Sequence, residues 1–128
     1  MLCFGEADAL LAGDALQALA FELLTPEDEQ QIPATIQAEL CRLLARAAGG
    51  EGMAGGQAID LASVGIRLTR EQLQRMHQLK TGALLQASVN MGAVCGQATA
   101  TVRAALHQYG AAPSSAARSC QMIFPPTI

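Results

Sequence analysis

The sequence predicts an all-α protein of about four to five helices, and three observations carry the prediction. Apolar residues make up 51% of the 128 residues, yet aromatics supply only 3% and Trp is absent. The core must therefore be built from Ala, Leu, Met and Val, which are mainly strong helix formers. Apolar residues also recur at the 3.6-residue spacing of a buried helix face. Finally, Thr69-Arg70-Glu71-Gln72 has the form of a capping box that opens a helix. At this length, one domain or part of one is expected.

The first helix is expected from Phe4 to Leu24. Leu10, Leu11, Leu16, Leu19, Ala20, Leu23 and Leu24 make it apolar over much of its circumference, which suits a central position. It stops at the connection Thr25 to Pro33, where Pro26 and Pro33 flank Glu27, Asp28 and Glu29. A second helix follows Pro33, with a stripe of Ile36, Leu40, Leu43, Leu44 and Ala47. It then meets Gly49, Gly50, Gly52, Gly55 and Gly56. Each of these costs a helix interior about 1 kcal/mol relative to Ala. Either the helix breaks here, or the glycines admit a neighbouring helix or a ligand. After a turn around Ser63 to Arg67, the third helix starts at the Thr69 cap. It runs through Leu73, Met76, Leu79, Ala83 and Ala87 to Gly92 or Gly96, with Gly82 as a point of irregularity. A shorter fourth helix covers Thr99 to Tyr109.

Charge narrows the classes of partner. A net charge of −3 with interspersed acids and bases offers no basic stripe for nucleic acid and no polybasic segment for a membrane surface. No apolar run approaches the ~20 residues of a membrane span, and no secretory leader is recognisable, so a cytoplasmic location is expected. Cys3, Cys41, Cys95 and Cys120 are widely spaced, and only His77 and His107 could join them as ligands. That spacing argues against a zinc site or a disulfide framework.

Three polar features stand where apolar residues are expected. Asp14 lies four residues after Leu10 and three after Leu11, on the face of the core stripe. Gln57 and Asp60 are spaced i, i+3 and share one helical face. Lys80-Thr81-Gly82 places a cation and a hydroxyl beside a glycine in mid-helix. Each also has a plain structural reading: Asp14 caps a neighbouring helix, Gln57 and Asp60 form a solvated edge, and Lys80 snorkels to water.

Their order and wording add to this. Phe4-Gly5-Glu6-Ala7 continuing to Ala12-Gly13-Asp14-Ala15-Leu16, then Gly52 to Leu61 (GMAGGQAIDL), then His77 to Leu84 (HQLKTGAL), resemble three consecutive signatures of the trans-type polyprenyl diphosphate synthases. The resemblance runs from about Phe4 to Ala112 and is strongest to the bacterial farnesyl and geranylgeranyl diphosphate synthases. It implies a partial isoprenoid-synthase-type helical bundle around a deep cavity, usually in a homodimer. There an allylic diphosphate ionises and its carbocation is attacked by the double bond of isopentenyl diphosphate, chemistry that needs cations on the leaving group and shielding from water. By residue match, Lys80 binds the allylic diphosphate, and Thr81 and Gln57 lie near the reacting carbon. Asp60 belongs to the polar floor of the cavity and holds Lys80 or a metal-bound water. Asp14 is implied as a supporting carboxylate outside direct contact.

The departures from the family pattern weigh equally. The family holds Mg²⁺ with two aspartate-rich DDxxD clusters, because Mg²⁺ demands hard oxygen ligands. Neither cluster occurs in this sequence, so it is expected to contribute no metal ligands. The expected organisation is a partial polyprenyl synthetase domain over residues 1–112 and a divergent tail over 113–128. The tail has a reading in the genetic code. In a frame displaced by two bases, Met122-Ile123 encodes an obligatory Asp and Gln121-Met122 an Asp or Asn, which points to a frameshift near Ala112; the other reading is an unrelated Ser/Pro-rich tail, disordered by composition. Two functions follow: a prenyltransferase fragment inactive alone, or a helical scaffold or dimerisation module that self-associates through apolar faces left uncovered.

Overall fold

The computed structural model describes residues 5–27 and 32–111. Phe4, Asp28, Glu29 and the whole tail from residue 113 lie outside the described residues, and with them the frameshift reading. Among the described residues there are six α-helices, one π-helical turn and no strand. These residues divide into two compact units, one ending at Cys41 and one beginning at Arg42.

In the first unit, α1 (Glu6–Leu24) carries Glu6 and Asp8 in its first turn, where the positive end of the helix dipole favours them. It ends at Thr25, whose Oγ1 donates to the Phe21 carbonyl at 2.9 Å. No residue of α1 is buried, and Leu10, Leu11, Leu16 and Leu23 are each more than 60% exposed. A helix apolar around its girth needs neighbours on several sides, and periodicity specifies the helix without supplying them. Asp14 is likewise exposed, so its carboxylate faces water and not a core. Gln37 Nε2, near the start of α2 (Ala34–Ala48), donates to the Ile32 carbonyl at 2.7 Å and to that of Pro26 at 3.2 Å. These bonds tie the helix start to its proline-flanked connection.

The second unit opens within α2, which stops at Ala48 as the glycines begin. Both sequence readings of the glycines hold. The chain turns at Gly49 to Gly52, where a Cβ on Gly52 would run into the Ala47 carbonyl oxygen, and α3 (Met53–Ala62) then starts inside the glycine run. The Thr69 capping box is formed in full: Gln72 N donates to Thr69 Oγ1 at 3.2 Å and Thr69 N to Gln72 Oε1 at 2.9 Å. From it α4 (Arg70–His77), the π-helical turn Gln78–Gly82 and α5 (Ala83–Cys95) run as one continuous rod. Counted that way, the described residues form five helical rods. α6 (Ala100–Ala111) packs on α5. Met76, Ala87, Ala93 and Val94 are buried, with small side chains predominating where α5 meets its neighbours.

Candidate functional site

Lys80 sits inside the π-helical turn, at the point where the sequence placed an irregularity. A π turn inserts an extra residue into the helical ladder, and such turns recur at functional sites because they re-aim side chains. This turn packs against α3. Gly56 and Asp60 are one helical turn apart on α3 and so share a face. Gly56 is buried, and a Cβ on it would lie 2.6 Å from Lys80 Cα and 2.8 Å from Lys80 Cβ. With the two backbones so close, the lysine stem runs along α3 and its Nζ donates to Asp60 Oδ2 at 2.6 Å.

The pair is half-open. The Lys80 side chain is 36% exposed and that of Asp60 40%, so the ammonium can be reached from solvent while it is held. Gln57 and Thr81 are exposed, and among the described residues neither makes a side-chain hydrogen bond. Their oxygens and the Gln57 amide are therefore available to a ligand. The structure thus brings Lys80 to Asp60; Thr81 adjoins Lys80 in the chain, and Gln57 lies three residues before Asp60 on α3. Asp14 belongs to the first unit.

Sequence reasoning flagged the glycine run as a whole but did not single out Gly56. The available signal was a glycine in a helix interior one turn before a carboxylate. It also missed an open cleft of about 350 Å³ in the second unit, lined by Arg42, Arg46, Gln86, Asn90 and His107 among others. The expected site residues do not line it.

Mg²⁺ needs near-octahedral oxygen coordination. Among the described residues no three His, Cys, Asp or Glu side chains converge, and Asp60 is engaged by an ammonium. These residues do not by themselves form a magnesium site. Among them, too, no helix is long and apolar enough to cross a membrane.

The Lys80 ammonium thus stands on a helical irregularity, held by Asp60 and open to solvent. A family model described as polyprenyl synthetase matches residues 1–115. The chain belongs to the polyprenyl synthetase family. It is 45% identical over 108 residues to the farnesyl diphosphate synthase of Geobacillus stearothermophilus, covering 84% of this chain and 36% of that protein. With the farnesyl diphosphate synthase of Escherichia coli it shares 46% identity over 91 residues, covering 71% of this chain and 30% of that one. Among solved structures, an FPP/GFPP synthase from Zymomonas mobilis superposes with a TM-score of 0.77 at 42% identity, covering 84% of this chain and 39% of the other. A geranyltransferase from Legionella pneumophila gives a TM-score of 0.79 at 35% identity, covering 87% and 40%. The all-α isoprenoid-synthase-type fold is thereby established for the part present. This polyprenyl synthetase chain spans about a third of the length of the curated relatives it matches.

Proposed function

We propose that this chain is part of a cytoplasmic prenyltransferase that condenses an allylic diphosphate with isopentenyl diphosphate. In that reaction the allylic C–O bond breaks and inorganic diphosphate leaves with the electron pair. The double bond of isopentenyl diphosphate then forms the new C–C bond, and a proton is lost from the resulting cation. Lys80 takes the charge of the leaving diphosphate, a task for a compact, strongly hydrated ammonium. Thr81 and Gln57 set oxygens beside the developing carbocation, and Asp60 orients Lys80 before the diphosphate arrives.

The observation that carries the reading is the half-exposed Lys80 ammonium, held 2.6 Å from Asp60 on a π turn. Because the sequence contains no DDxxD run, the chain alone is expected to bind allylic diphosphate without turning it over. Calorimetric titration with dimethylallyl diphosphate tests this. Saturable binding lost in Lys80→Met supports the reading, and equal binding by that variant overturns it. Prenyl transfer assayed with isopentenyl diphosphate and Mg²⁺, alongside a full-length relative, tests the expected inactivity. The exposed leucines of α1 favour a second reading, a scaffold or dimerisation module derived from the same fold.

A further inference from the structure

We infer that Gly56 is a positioning residue for Lys80, and that its missing side chain is what lets Asp60 reach the ammonium. The inference deepens the proposed role of Lys80 in diphosphate binding and rests on that reading for its functional half.

Helix propensity alone disfavours glycine at an interior position such as Gly56. The geometry supplies the reason for it. A Cβ there would stand 2.6 Å from Lys80 Cα and 2.8 Å from Lys80 Cβ, and closer still to the Lys80 amide nitrogen. Two of those three atoms are backbone, so no rotamer change relieves the overlap and α3 has to retreat from the π turn. Asp60 sits one turn further along the same face and retreats with it. A hydrogen bond of 2.6 Å that lengthens by about 1 Å passes beyond useful contact. Gly92, inside α5, offers a contrast: a Cβ there meets nothing within 4 Å. The two glycines share the same propensity penalty, but only one has a neighbour to admit.

Lys80 is the chain's one lysine, so the side-chain ammonium gives a single NMR signal. In the wild-type chain, nuclear Overhauser contacts are expected from the Gly56 Hα protons to the Hα and amide proton of Lys80. In Gly56→Ala the ammonium signal is expected to move and inorganic pyrophosphate to bind at least about 10-fold more weakly, since displacements of about 1 Å at a binding group carry penalties of that order or larger. Gly92→Ala should leave both unchanged, with circular dichroism reporting helix content for each variant.

An unmoved ammonium signal in folded Gly56→Ala overturns the inference, as does the absence of the wild-type Gly56 to Lys80 contacts. Those contacts decide the matter if Gly56→Ala does not fold. If pyrophosphate fails to bind the wild type, the proposed role of Lys80 is overturned. The signal comparison then still decides whether Gly56 positions the ammonium.

Discussion

The ammonium of Lys80 and the carboxylate of Asp60, twenty residues apart in the chain, meet at 2.6 Å while both stay more than a third open to solvent. Exposed pairs contribute only about 0–1 kcal/mol, because water screens the charges and two side chains lose freedom. A double-mutant cycle with Asp60→Asn and Lys80→Met is therefore expected to return a coupling energy in that range, shrinking as salt is added. Urea denaturation of the four proteins measures it. A coupling well above that range would mean that the pair serves mainly to hold the fold together.

The capping box makes a second prediction. Thr69 and Gln72 satisfy each other's backbone donors at the start of α4. Thr69→Ala should cost about 1 kcal/mol in urea denaturation, whereas Thr69→Ser keeps the hydroxyl and most of the stability. Equal losses from both substitutions would show that the hydroxyl is not the stabilising group.

That box was legible because all its information lies within four consecutive residues. The end of α2 was legible for the same reason, since the glycines themselves interrupt it. The irregularity at Gly82 was visible as a misplaced polar run. Its form as a π turn was not, because the wider ladder depends on the packing of Gln78–Gly82 against α3. The meeting of Lys80 with Asp60 stood in the sequence only as one of two options carried by a family resemblance, since nothing in local spacing joins residues that far apart. The sequence anticipated uncovered apolar faces, but not that they would fall on α1. Its leucines announce an apolar helix, but not whether this chain supplies the partners that would cover it.

Burial separates two residues that periodicity placed on one stripe. On α4, Met76 is 4% exposed and Leu73 43%. Met76→Ala should cost about 2 kcal/mol or more, through lost transfer energy and the cavity left behind. Leu73→Ala should cost clearly less. Thermal and urea unfolding of the two variants check the order, and a reversed order would contradict the observed packing of this rod.

The exposed leucines of α1 bear on how the chain behaves in solution. Leu10, Leu11, Leu16 and Leu23 each leave most of their apolar surface to water, and such surface marks candidate association faces. Self-association is the expected response. Replacing Leu16 and Leu23 by Lys should shift sedimentation velocity profiles toward the monomer, while stability moves by only about 0.5 kcal/mol per substitution, as is usual for exposed positions. The direction of the stability change matters as much as the mass. If the lysine variants become monomeric and stay folded, α1 is an association surface of this chain, and the scaffold reading gains. If they unfold instead, α1 is covered in solution and contributes to the fold. If the wild type is already monomeric, the apolar face alone does not drive association, and the scaffold reading loses its support.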